Sequence, residues 1–229
     1  KPFLTPARIG IYSFLLVTSA FFLLPLYVMV VTSLKTPEEI RQALLFAWPA
    51  SPQFGNWKEA WSSACIALAC EGIQGGFWNS IRLVVPATIL SVFLAALNGY
   101  ALSFWRSRWG DILFGIMLLG AFVPFQVMIY PLVAWFRLGG FYNTYWAILL
   151  VHCIFGMPVL TLLFRNYYIA VPQELFKAAR IDGGGFWRIF FQLMLPMATP
   201  MLIVATILQV TGIWNDYLFG LIFAGKDNY

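Results

Sequence analysis

Residues 171–200 read VPQELFKAARIDGGGFWRIFFQLMLPMATP, the most polar passage in the second half of the chain, set between two long apolar runs. Pro172 stands where a helix begins, which suits its fixed φ and missing N–H. Residues 173–181 read as a short helix with Leu175, Phe176, Ala178, Ala179 and Ile181 as its apolar and small positions. Asp182 and the triplet Gly183-Gly184-Gly185 stop it, because glycine is costly inside a helix and favoured just past its end. A second helical piece, 186–195, follows before Pro196 and Pro200 interrupt the pattern. A helix, a glycine turn and another helix between membrane spans have the form of an element built to touch a partner.

Composition identifies the setting. Hydrophobic residues make up 61% of the 229 positions and charged residues 10%, with a mean hydropathy of +0.80. Soluble domains carry about 25% charged residues, so the expected fold class is an all-α integral membrane protein, a polytopic helix bundle. The net charge of +5 does not indicate nucleic-acid binding, because the basic residues are scattered rather than clustered. Lys1 and Arg8 precede an apolar run too long for a signal-peptide core, so no removable signal peptide is expected.

Five apolar segments, about 9–34, 81–104, 112–135, 144–164 and 201–224, are each long enough to cross a bilayer as a helix. Together with an outer loop at 35–79 they predict a single transmembrane domain over residues 1–229. Pro86, Pro124, Pro131 and Pro158 lie in or near these runs and predict kinked or interrupted helices. With the N-terminus inside, the inner segments hold eight basic residues: Lys1, Arg8, Arg106, Arg108, Arg165, Lys177, Arg180 and Arg188. The outer side holds six, Lys35, Arg41, Lys58, Arg82, Arg137 and Lys226. Long outer loops count little in this rule, so the bias favours a cytoplasmic N-terminus and places 171–200 in the cytoplasm. Five spans put Tyr229 outside, and a sixth is expected beyond it.

Few residues offer chemistry. Residues 220–227, GLIFAGKD, approach a phosphate-binding loop, but Asp227 replaces the Ser/Thr that would hold magnesium, and no strand precedes it. His152 is the only histidine, and a metal site needs several ligands, so no metal site is expected. It reads either as hydrogen-bonded within the bundle or as lining a pathway. Cys65 and Cys70 lie in the outer loop, where an oxidising exterior permits a disulfide. On a helix that spacing sets them about 140° apart, so a bond requires irregular backbone, and both states stay open. Asp216 is the one acid deep in the last long apolar run, either a functional carboxylate or part of a hydrogen-bond network with Asn215 or Gln209. Trp214 and Tyr217 offer flat apolar faces with a polar handle, as a sugar ring would require, or simple packing. Asn98, Tyr100 and Gln126 are further polar candidates for a pathway. No nucleophile–base pair is present, so no catalytic residue is assigned.

Residues 171–200 resemble the EAA loop of membrane subunits of bacterial ATP-binding-cassette importers, in the carbohydrate branch typified by the maltose permease. That loop runs approximately P-x-E-L-x-E-A-A-x-x-D-G-A, followed by an aromatic helix ending in L-P-x-x-x-P. Pro172, Glu174, Leu175, Ala178, Ala179, Asp182, Gly183, Leu195, Pro196 and Pro200 match. Ser33-Leu34-Lys35, Asn79-Ser80, Tyr100-Ala101-Leu102, Pro124 with Gln126, Pro131-Leu132, Asn143-Thr144 and Trp214-Asn215-Asp216 extend the likeness along most of the chain. Two positions depart: Lys177 stands where an acid is usual, and Gly184 replaces an alanine.

The resemblance implies a type I ABC importer transmembrane domain in the bacterial inner membrane, with no cofactor of its own. ATP and Mg would sit on a partner ATPase dimer. It further implies a second permease subunit and an extracytoplasmic sugar-binding protein, docked on an outer loop bearing Trp48, Trp57 and Trp61. Glu174, Leu175, Phe176, Lys177, Ala178, Ala179, Asp182 and Gly183 would form the coupling helix and its stop, with Leu175 and Phe176 as anchors in an ATPase groove. Asn98, Gln126, Gln209, Trp214, Asn215, Asp216 and Tyr217 are the candidates for the substrate pathway. The rival expectation is a stand-alone secondary transporter or channel using Asp216 as an ion site.

Overall fold

The computed structural model describes residues 5–65, 70–104 and 107–225. Lys1, Arg106, Lys226, Asp227 and Tyr229 lie outside the described residues. The single domain expected over 1–229 divides into two compact units, 1–75 and 76–229. Among the described residues the regular structure is entirely helical.

The first unit holds α1 (Pro6–Ser33), α2 (Pro37–Arg41) and α3 (Gly55–Ser62). Thr5 caps α1 through its side chain, and Pro6 follows at the first position, where a missing N–H costs nothing. Pro25 sits inside α1 without ending it. The loop after α1 is ordered by polar contacts. Lys35, buried, donates from Nζ to Leu44 O at 2.6 Å, and Asn56 donates its amide to Ser33 O and Lys35 O at 3.1 Å each. Thr36 and Glu39 form a reciprocal capping box, and the second Glu39 oxygen accepts from the Ala50 amide at 2.8 Å. Cys65 and Cys70 are joined as a disulfide.

The second unit is built on α4 (Gln74–Phe104) and α7 (Tyr145–Ile169). Both run longer than the expected 81–104 and 144–164, and Pro86 and Pro158 lie inside them without interruption. Their approach is set by Gly99: a Cβ there would lie 2.6 Å from Phe164 Cβ and 2.8 Å from Arg165 N. The expected span 112–135 is corrected. It is two helices, α5 (Arg108–Ala121) and α6 (Phe125–Leu138), bent by 112°. Pro124 lacks an N–H and disfavours helical backbone at Val123, which ends α5; Pro131, deeper in α6, leaves it continuous.

The polar passage folds as α8 (Gln173–Ile181), then α9 (Phe186–Ile189), a π-helical turn at Phe190–Met194, and α10 (Leu195–Met197). A 78° bend leads into α11 (Thr199–Trp214). The expected fifth span 201–224 is also corrected, because α11 stops at Trp214 and a separate α12 (Leu218–Phe223) follows. Among the described residues three helices, α1, α4 and α7, are long and apolar enough to cross a membrane, and up to five spans result if each bent pair counts as one.

Two tests follow from these contacts. Gly99→Ala is expected to lower the thermal midpoint of the purified protein, at an overpacking cost of about 1–3 kcal/mol. Gly115→Ala, where a Cβ meets nothing within 4 Å, is expected to leave it unchanged or raise it. In the outer loop, hydrogen bonds from the Thr36 and Ala50 amides hold the Glu39 carboxyl below the usual carboxylate range. Its folded value lies below its unfolded one, so the stabilisation is full above about pH 4.3 and is lost as pH falls through the lower folded value. Protection of the Thr36 and Ala50 amides from hydrogen exchange, relative to an unstructured peptide at the same pH, is expected to fall over that acid window.

Candidate functional site

The glycines after α8 make a specific stop. Gly183 has φ +78°, a left-handed conformation that penalises a side chain. Its amide donates to Arg180 O at 3.1 Å, and the Gly184 amide donates to Ala179 O at 2.9 Å, the paired bonds of a Schellman cap. A Cβ at Gly184 would lie 2.5 Å from Ala179 O and 2.9 Å from the Ile189 side chain, so glycine in place of alanine tightens the turn onto α8. Glu174 in the first turn and Arg180 in the last complement the helix dipole.

The faces of α8 are divided differently from the expectation. Phe176 stacks on Phe104 of α4, with centroids 4.6 Å apart and planes 23° off parallel. With Ala179 it packs against the buried core of Tyr100, Phe164, Tyr168 and Phe190. Phe176 therefore fastens α8 to its own chain; it is not an outward anchor. Outward lie Leu175, Ile181, which is 86% exposed, and the polar Glu174, Lys177 and Asp182. Residues 186–197 are likewise not surface loop: Phe190 and Met194 are fully buried. Tyr100 Oη donates to Phe186 O at 3.2 Å, and Tyr167 Oη donates to Met197 O at 2.6 Å. Aromatic contacts of this kind contribute about 0.5–1.5 kcal/mol each beyond burial. Residues 173–197 are thus packed and hydrogen-bonded onto α4 and α7.

A second polar group lies among the spanning helices. Gln209 of α11, buried, donates from Nε2 to Ser91 Oγ of α4 and to His152 O of α7, at 3.1 Å each. Gly156 makes room for it, since a Cβ there would overlap the Gln209 amide. His152 Nε2 lies 3.8 Å from Asp216 Oδ2. Asp216 accepts from the Phe219 amide through Oδ1 at 3.2 Å and from the Gly220 amide through Oδ2 at 3.1 Å, capping α12. An aspartate in a long apolar run thus marks a helix break and supplies the next N-terminus.

The expected pathway residues do not form one site. Gln209 and Asp216 are linked through His152. Trp214 is half-exposed beside them, edge-on to Phe77 at 5.8 Å. Asn215 and Tyr217 are exposed at the break. Asn98 stands apart with its amide on Met157 Sδ at 3.5 Å, and Gln126 is exposed at the start of α6. Ser91, which helps tie Gln209 in place, carries no signal in the sequence, since a serine within an apolar run has no spacing pattern; His152 stands out there as a lone histidine, and its backbone carbonyl is the second acceptor. Among the described residues no group of three metal-ligating side chains occurs.

Gly156→Ala is expected to push Gln209 off its two acceptors and lower the thermal midpoint, with an unsatisfied buried amide costing about 1–3 kcal/mol. The same change in a Gln209→Ala background is expected to be nearly neutral.

Residues 87–227 match the family described as "Binding-protein-dependent transport system inner membrane component". The xylose/arabinose import permease XacI of Haloferax volcanii is 30% identical, over 96% of this chain and 75% of its own length. A probable ABC transporter permease of Pyrococcus horikoshii is 33% identical, over 96% of this chain and 77% of its own. In a solved structure, a bacterial ABC transporter involved in import of the acidic polysaccharide alginate, one chain shares the fold with a TM-score of 0.72 at 23% identity, covering 98% of this chain and 78% of that one. Matched over most of its second unit and by relatives along nearly its whole length, the chain belongs to the inner membrane components of binding-protein-dependent transport systems.

Proposed function

We propose that this chain is one transmembrane subunit of an ATP-driven sugar importer, forming half of the translocation pathway. The observation that carries the reading is α8: a short helix with Leu175 and Ile181 exposed on one side and Phe176 locked to the core on the other. An exposed apolar helix face stopped by a fixed turn suits insertion into a groove on a partner. The partner is a cytoplasmic ATPase dimer, which binds ATP and Mg and whose closure moves α8. Because Phe176, Tyr100 and Phe186 tie that segment to α4, displacement at the groove passes to the spanning helices as a rigid-body movement between two states. A second permease subunit completes the pathway. An extracytoplasmic binding protein delivers solute to the outer loop, where Trp48, Trp57 and Trp61 supply exposed aromatic anchors. Membership of a binding-protein-dependent family supports these partners, and the pentose permease among the relatives supports sugars as the cargo.

Affinity purification from native membranes is expected to bring an ATPase subunit and a sister permease with this chain. Leu175→Asp and Ile181→Asp are each expected to strip the ATPase, since burying a charge in an apolar groove is strongly unfavourable, while membrane insertion stays intact. A lone homo-oligomer that transports down an ion gradient would overturn the reading.

A further inference from the structure

His152 and Asp216 border a cavity of about 190 Å³ that the helix-capping role of Asp216 does not account for. Its polar lining is Asn79 and Ser80 at the start of α4, His152 of α7 and Asp216 at the helix break; Ile213 and Trp214 supply an apolar wall. The volume is about six times the ~30 Å³ share of one liquid water, the scale of a single sugar ring rather than of a chain of rings. His152 is only 6% exposed, and its Nε2 has no hydrogen-bond partner. Buried polar atoms are normally satisfied, so an unpaired one bordering a cavity points to something that fills the cavity. The site lies near the start of α7, and the seventeen residues from His152 to Ile169 put it about 25 Å along that helix from the coupling end.

We infer that this cavity is a subsite for one ring of a neutral sugar, held by a ring hydroxyl between His152 and Asp216. The inference rests on the importer reading above and assigns the solute a place in this subunit. The geometry suits a hydroxyl oxygen. With Nε2 and Oδ2 3.8 Å apart, one oxygen can lie about 2.8 Å from both. That oxygen must accept from an imidazole N–H and donate to a carboxylate; a sugar hydroxyl does both, as a water does, and the cavity's volume and apolar wall favour the sugar. A bare cation fits less well, because both Asp216 oxygens already accept backbone amides and the remaining polar lining is an amide and a hydroxyl. The half-exposed Trp214 ring offers the flat apolar surface that the C–H face of a sugar needs.

The test uses the complete transporter with its ATPase and binding protein, in lipid nanodiscs, trapped with orthovanadate. Retention of labelled D-xylose, L-arabinose and D-glucose, and of monodeoxy analogues of whichever sugar is retained, is measured across concentration. His152→Leu is expected to weaken retention roughly ten-fold, the scale of one hydrogen bond with its partner left unpaired. Asp216→Asn keeps Oδ1 as the acceptor for Phe219 and is expected to weaken retention as well. In the unaltered protein one monodeoxy sugar is expected to bind about ten-fold more weakly than its parent; in His152→Leu that difference disappears. If His152→Leu does not assemble, Asn79→Ala takes its place with the same expected direction. Equal retention by all variants, with ATP-driven uptake intact in the unaltered protein, means that the cavity holds water only and overturns the subsite alone. No ATP-dependent uptake of any sugar by the unaltered complex overturns the importer reading, and the subsite with it.

Discussion

Tyr100 is fully buried at the point where four segments meet. Its ring lies 4.9 Å from Phe186, 5.4 Å from Phe190, 5.8 Å from Phe104 and 6.3 Å from Tyr168. Its hydroxyl reaches the backbone of Phe186. Removing this ring would open the junction of α4, α7, α8 and α9 together, because each of them packs on it or on a ring that does. Phe176 extends the cluster outward by one more stack. The helix carrying Leu175 and Ile181 is in this way packed onto the C-terminal ends of α4 and α7. Protein interiors packed this way transmit displacement rather than absorb it.

A second constraint acts deeper among the spans, and it is polar. Ser91, Gln209 and His152 join α4, α11 and α7 through hydrogen bonds made inside an apolar bundle. In that setting, small residues that allow close approach and amide side chains that bridge helices replace the hydrophobic effect as the glue. Gly99 and Gly156 are the small residues here, one admitting a neighbouring helix and the other the Gln209 amide. The two constraints lie at different depths along α4 and α7, one beside α8 and one toward the opposite end. A tilt of α4 driven at α8 would therefore be felt at the break after Trp214.

The short helix α8 was legible because proline and glycine impose backbone geometry wherever they occur: Pro172 and Gly183 placed it and its stop where they lie. That the chain holds several apolar spans was legible for a similar reason, since length and hydropathy decide what can cross a bilayer; where two of them break was not. Direction was not. Phe176 reads from sequence as one apolar residue on a short helix, and whether it faces a partner or its own chain depends on Phe104, seventy-two positions earlier. Pro124 was one of four prolines read as kinking or interrupting a span, but sequence could not single it out, because Pro86, Pro131 and Pro158, in equally apolar contexts, leave their helices continuous. Asp216 was conspicuous as a charge in an apolar run, yet its role as a cap depended on two amides three and four residues on. The lone His152 gained meaning only from the cavity that it borders.

The claim that α8 moves as one body with the spanning core is tested most directly by a pair of spin labels, one at the exposed Lys177 on α8 and one at the exposed Ile89 on α4. Their separation is measured by pulsed electron paramagnetic resonance in the assembled complex, without nucleotide and with ATP bound. The rigid lever predicts the same distance in both states, to within the spread of the labels. A change of a helical turn or more, roughly 5 Å, would mean that α8 swings on a hinge at Val171–Pro172 and would contradict the account.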